Sequence, residues 1–179
     1  MNEMPITLVE HRPEWPGLFQ QEEARLQQAA GSAILRLEHI GSTAVPDLLA
    51  KPVIDILGGI HDLAAVAALQ DALAGLGYEY VAEFEQEIPE RRFFRKYPQN
   101  GTYFHLHIVE QGSGFWRDHL LFRDYLRAHP EVALAYGELK RSLADLYYQD
   151  RGAYTRAKKP FIESVLARIH QGEAVCPSE

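Results

Sequence analysis

The sequence predicts an α/β (α+β) chain, with a sheet domain flanked by helices over residues 1–112, a helical part packed on or beside it over 113–171, and a tail at 172–179. Three observations carry that expectation. VIDIL, from Val53 to Leu57, is apolar except for Asp55, as a central strand covered on both faces should be. RRFFRKY and TYFHLHIV flank Pro98-Gln99-Asn100-Gly101, and Asn-Gly between strand-like runs signals a hairpin. From Phe115 to Gln171 the apolar residues recur at helical spacing, broken at His129-Pro130 and at Asp150-Arg151-Gly152.

The elements follow in order. A short opening strand is expected around Ile6 to Val9. Trp15 to Ala30 reads as an amphipathic helix whose face carries Trp15, Leu18, Phe19, Glu22, Leu26 and Ala29. ILRLEHIG roughly alternates and ends as a strand at Gly41-Ser42. Ala44 to Pro52 leaves room for a short helical turn closed before Pro52. Asp62 is a good N-cap for a helix reaching Leu76, which Gly77 stops, and YEYVAEF gives another strand. In the C-terminal part, Tyr136, Leu139, Leu143, Leu146 and Tyr147 form a stripe expected in the core.

Composition sets the outer bounds. The 179 residues, 46% hydrophobic and 24% charged, are enough for one well-formed core. A net charge of −7 argues against a nucleic-acid coat, although a local basic patch is compatible with it. Cys176 is the only cysteine, so no disulfide forms within the chain, and a reducing, cytoplasmic location is expected. No signal pattern opens the sequence and no run approaches membrane-spanning length, so no membrane partner is expected.

The richest segment is EHIGSTAVPDLLAKPVIDIL, from Glu38 to Leu57. A carboxylate on a central strand is costly unless a cation or several donors meet it. Glycine lets the backbone approach a ligand, Ser42 offers a hydroxyl, and free N–H groups of such a turn hold phosphate oxygens. Turn, strand and acid together suggest a site for a metal-bound phosphate. The hairpin adds to it through its faces. With an even-numbered loop, Arg92, Phe94 and Lys96 share a face with Tyr103, His105 and His107, while Phe93, Arg95 and Tyr97 share the other with Phe104, Leu106 and Ile108. The first face would be open, basic and imidazole-bearing. An odd-numbered loop mixes the two sets.

The blocks HIGSTAVPDLLAKPVIDIL, RRFFRK, FHLHIVE, FRDYLRAHPEVALAYGELK and DRGAYTRAK, spanning Val9 to about Phe161, resemble the GrpB family. That resemblance implies a nucleotidyltransferase-like mixed sheet. Some members of the family are fused to dephospho-CoA kinase, an association with nucleotide or coenzyme A metabolism. The superfamily pattern is a Gly-Ser turn, then two carboxylates at i and i+2 on one strand face that chelate Mg²⁺, with a third acid on a neighbouring strand. Gly41, Ser42 and Asp55 match. Position 57 is leucine, and the later strand carries His105 and His107 in place of an acid.

Asp55 is the expected metal ligand and catalytic residue; the bland reading has it hydrogen-bonded to Ser42, Thr43 or backbone N–H groups. His105 and His107 would join it in a nitrogen-rich site for Zn²⁺ or Mn²⁺ in place of Mg²⁺, with Glu38 as a second carboxylate if its side chain faces Asp55. Otherwise these are edge histidines and a strand-end acid in a salt bridge. His39 points away from Glu38 and reads as structural. Gly41, Ser42, Thr43, Lys51, Arg91, Arg92, Arg95, Lys96 and Lys158 are the candidate phosphate contacts, Lys158 sharing a helix face with Tyr154. A basic hairpin also serves simply to guard a sheet edge.

Two functions lead. One is metal-dependent transfer of a nucleotidyl or phosphoryl group from a nucleoside triphosphate to a small acceptor. The other is a degenerate, non-catalytic module that binds a nucleotide, coenzyme A or another phosphorylated small molecule, which Leu57 favours. A barrel metal hydrolase would need repeated βα units that this chain lacks, and a pure scaffold leaves Asp55 without purpose.

Overall fold

A computed structural model describes residues 5–97 and 101–172. Helix α1 (Trp15–Ala30) forms over the expected span and buries Trp15, Glu22, Leu26 and Ala30. Strands β1 (Arg36–Ile40), β2 (Val53–Ile60), β3 (Tyr78–Tyr80), β4 (Arg91–Lys96) and β5 (Tyr103–Glu110) build one sheet in the order β1-β2-β5-β4-β3. β2 and β5 run parallel and every other neighbouring pair is antiparallel, so the sheet is mixed. The crossover from β2 to β5 carries helix α2 (Gln70–Gly75) together with β3 and β4.

Period-two alternation divides the sheet cleanly. Leu37, Ile54, Ile56, Phe94, Phe104, Leu106 and Ile108 point to one face and pack with Trp15, Leu26, Leu69 and Leu73 in the main core. The other face carries Glu38, Ile40, Asp55, Leu57, His105 and His107. Helices α3 (Gly114–Ala128), α4 (Pro130–Leu146), α5 (Arg151–Ala157) and α6 (Lys159–His170) follow the sheet. Trp116 of α3 closes one end of the second face, packing with Ile40, Leu57 and Val109. A Cβ on Gly59 would meet the Trp116 ring at 2.8 Å, so glycine there lets α3 lie close. The Asp55 end of the face is left facing the other helices.

Several expectations are corrected. The opening strand reduces to a single bridge, Val9 with Ala50, because Ile6 turns away to the carbonyl of Tyr148 and Pro52 cannot extend the ladder. The turn before β2 is an early 3-10 helix at Ser42–Ala44; Pro46 holds Val45 extended and ends it. Asp62 does cap, accepting from the N–H of Ala64, but Leu63–Leu69 winds as a 3-10 helix before α2 begins. Leu146 is 70% exposed, whereas Tyr136 and Leu143 are buried as expected.

The hairpin register differs from the even-loop expectation. Phe93 pairs with His107, Arg95 with His105 and Lys96 with Phe104, so the loop between the last paired residues, 97–103, is odd-numbered. The tip at residues 98–100 lies outside the described residues. β5 takes its register from its parallel partner, beginning with the N–H of Tyr103 on the carbonyl of Pro52. A buried central strand outweighs the preference of an exposed turn.

Candidate functional site

The Gly41-Ser42 turn is pressed against Asp55. Gly41 has φ 71° and ψ −174°, a conformation closed to residues with a side chain. A Cβ there would sit 2.4 Å from Asp55 Oδ2. His39, on the opposite face as expected, stacks on Phe19 of α1 and places Nε2 3.0 Å from Thr43 Oγ1; Thr43 in turn donates to the carbonyl of Val53. This chain ties β1, the turn and the start of β2 together. It also commits the buried Thr43 hydroxyl, so that of the three turn residues Gly41 and Ser42 are the ones facing the cleft.

Across β2, the side chains of Asp55, His105 and His107 converge. Asp55 Oδ1 lies 3.3 Å from His105 Nδ1 and 3.4 Å from His107 Nε2, and the three ligand atoms lie within 4.8 Å of one another. Burial works against charge on Asp55, but hydrogen bonds from His105 and His107 outweigh it and hold its carboxyl well below the usual carboxylate range. Four-coordinate bonds of about 2.1 Å space ligand atoms about 3.4 Å apart. The donor set therefore fits a divalent ion that accepts imidazole, such as Zn²⁺ or Mn²⁺, better than Mg²⁺. Glu38 shares this face but its carboxylate is taken up by Arg123 at 2.7 Å and Arg36 at 2.6 Å. Leu57, two residues beyond Asp55 on the same strand face, is fully buried beside Trp116.

The cationic candidates separate. Arg91 reaches His107, its Nη1 3.4 Å from Nδ1, while its buried Nε has no hydrogen-bond partner among the described residues. An arginine only donates, so His107 Nδ1 accepts and Nε2–H is directed to Asp55. Ligation through Nε2 would move that hydrogen to Nδ1 and set it against Arg91. Arg91→Met is accordingly expected to tighten Zn²⁺ or Mn²⁺ binding several-fold and to weaken nucleotide binding, both read by calorimetry; equal losses of the two would overturn this role.

Arg95 lies on the histidine face but is held by Glu79 at 2.9 Å. Arg92 and Lys96 point to the other face, Arg92 donating to the carbonyl of Pro89 and Lys96 binding the buried Glu22 at 2.7 Å. The structure does not bring these two into the cleft. Lys51 and Lys158 lie close enough to feel the charge of Asp55, and their Nζ atoms stand 5.4 and 4.6 Å from the centre of the Tyr154 ring. Lys140 of α4 was not singled out in the sequence. It is 2% exposed and donates to Ser42 Oγ at 2.8 Å and to the carbonyl of Leu49. Its signal was present: helical periodicity places it on the stripe of Tyr136 and Leu143, where a lysine is out of place.

Burial also sets the acid response. It lowers the imidazoles of His39 and His107 to about 4, against the opposing pull of Asp55. An unfolded chain binds those protons near pH 6.5, so the folded state loses stability as pH falls from there toward 4, by roughly 3 kcal/mol for each group. Urea melts from pH 7 to about 4.5 should show this slope, reduced in His39→Gln. A flat profile would contradict it.

A sequence model of the GrpB protein family matches residues 5–168. The glutamate-rich protein GrpB of Alkalihalophilus pseudofirmus is 35% identical over 170 residues, covering 93% of this chain and 97% of that one. The crystal structure of the conserved protein GrpB from Enterococcus faecalis superposes with a TM-score of 0.82 at 36% identity, over 92% of this chain and 98% of that one. The Cid1 poly(U) polymerase superposes with a TM-score of 0.53 at 11% identity, over 83% of this chain and 49% of that one. That likeness is one of fold alone: the mixed sheet and its helices are shared with that polymerase.

Proposed function

This chain belongs to the GrpB family, and from that premise we propose that its cleft transfers a nucleotidyl or phosphoryl group from a nucleoside triphosphate to a small acceptor. The observation that carries the reading is the contact of the Gly41-Ser42 turn with Asp55, itself flanked by His105 and His107. Asp55, His105 and His107 would hold one divalent ion. When bound, it supplies Lewis-acid polarisation of a phosphate oxygen.

The protein's own groups do the rest. Gly41 lets Asp55 lie against the turn, and Ser42 Oγ stands ready to donate to a phosphate held beside them. Arg91 and the lysines at 51 and 158, each within reach of the charge of Asp55, would oppose the negative charge that grows on the transferred group. Trp116 and Leu57 keep water from the closed end of the face.

A second reading, a binding module without turnover, is favoured by Leu57, which fills the place of a metal-binding acid with packed hydrocarbon. Calorimetric titration with ATP, other nucleoside triphosphates and coenzyme A, each with Mg²⁺, Mn²⁺, Zn²⁺ or no metal, separates the two. Metal-dependent binding followed, with an acceptor present, by release of pyrophosphate for nucleotidyl transfer or of the nucleoside diphosphate for phosphoryl transfer supports transfer. Binding indifferent to metal, with no product, supports the module.

A further inference from the structure

Three lysines from three separate elements meet beside the Gly41-Ser42 turn. Lys51 stands just before β2, Lys140 on α4, and Lys158 between α5 and α6. Lys51 and Lys158 address the same Tyr154 ring, and Lys140 lies 4.9 Å from the centre of the Tyr136 ring while bonded to Ser42. Among the described residues, none of the three has a carboxylate within ion-pair distance. Such charges are normally paired when they are taken out of water. A cluster of this kind stores repulsion that an anion would relieve.

We propose that Lys51, Lys140 and Lys158 together receive the end of a polyphosphate chain, and that binding there draws protons onto the cluster. This rests on the nucleoside triphosphate reading above and deepens it by assigning the residues, Lys140 among them, that would hold the linked phosphates. A single phosphate carries about −1.5 to −2 at neutral pH, too little to balance three ammonium groups. Two or more linked phosphates match them. The anion would also tie α4 and the α5–α6 junction to the sheet, since each supplies one lysine.

Proton uptake follows from the surroundings. Burial, then repulsion from Lys158 and Lys51, lowers Lys140 to about 7. Burial and Lys51 lower Lys158 to about 8, with Asp55 pulling the other way. Lys51 is lowered by burial, raised by Asp55 and lowered further by Arg151. Also at the cluster, among the described residues, are the carbonyl of Leu49, the hydroxyl of Ser42 and the rings of Tyr136 and Tyr154, whose phenols burial raises beyond the relevant range. Near pH 8 part of the cluster is therefore neutral until an anion arrives.

The test is calorimetry with sodium tripolyphosphate, without metal, in buffers of different ionisation enthalpy, on the wild type, Lys158→Gln and Lys140→Met. The wild type is expected to take up roughly one proton per anion near pH 8 and to lose roughly tenfold in affinity from pH 7.5 to 8.5. Uptake should fall in Lys158→Gln, where the anion's own titration cancels in the comparison. Inorganic phosphate should bind far more weakly. Absence of tripolyphosphate binding, or binding without proton uptake, would overturn the proposal, as would uptake unchanged in Lys158→Gln. Should Lys140→Met not fold, Lys158→Gln decides alone. Metal-dependent nucleotide binding that ignores these substitutions leaves the transfer reading intact and removes the lysine site. Tripolyphosphate binding with proton uptake, but no nucleotide binding under any metal, does the reverse.

Discussion

Asp55→Asn is expected to lower affinity for Zn²⁺ or Mn²⁺ by roughly 100-fold or more and to abolish metal-dependent nucleotide binding. The two histidines would remain, but the anionic ligand they share at 3.3 and 3.4 Å would be gone. Asparagine has nearly the same shape, so the fold should survive and the loss should be local. Thermal melting with and without Mn²⁺ checks this directly. The metal should raise the melting temperature of the wild type and leave that of D55N unchanged. If D55N binds metal and ATP as the wild type does, the centre lies elsewhere.

Gly41→Ala should be the most damaging single change to the framework of the site. The backbone at φ 71° and ψ −174° costs about 3 kcal/mol for a residue with a side chain. The added methyl must also displace Asp55 Oδ2, 2.4 Å from its position. A loss of about 3 kcal/mol corresponds to roughly 6–12 °C in melting temperature for a chain of this size. Gly31→Ala is the control, since Gly31 also has positive φ but nothing within 4 Å of its added Cβ. It should cost clearly less and leave metal binding intact. Equal costs at the two positions would mean that the Asp55 contact contributes nothing.

Local chemistry made much of this molecule legible. The strict apolar run of Val53 to Leu57 with one acid marked the central strand, because only a strand covered on both faces tolerates that pattern. His39 and Glu38 were separated onto opposite faces by alternation alone, and the structure keeps them there. Gly41 and Asp55 were picked out by residue type and spacing, and they do meet.

Other features depended on partners far away in sequence. Lys96 looks available for phosphate until Glu22, 74 positions earlier, claims it. Glu38 looks like a metal ligand until Arg123 arrives from α3. Lys140 reads as one more helical lysine, and only the approach of α4 to the turn gives it Ser42.

The sequence by itself determined the alternation within each strand, the helical stretches, the glycine turn and the acid beside it, because these are set by steric and hydrophobic rules acting over a few residues. Tertiary structure decided which strand faces oppose one another. A shift of one residue between β4 and β5 exchanges Phe94 for Phe93 opposite His107, and no local preference is strong enough to fix that choice. It is fixed by the burial of β2 and β5 against each other, where a slipped register would turn Leu106 and Ile108 out of the core and His105 and His107 into it.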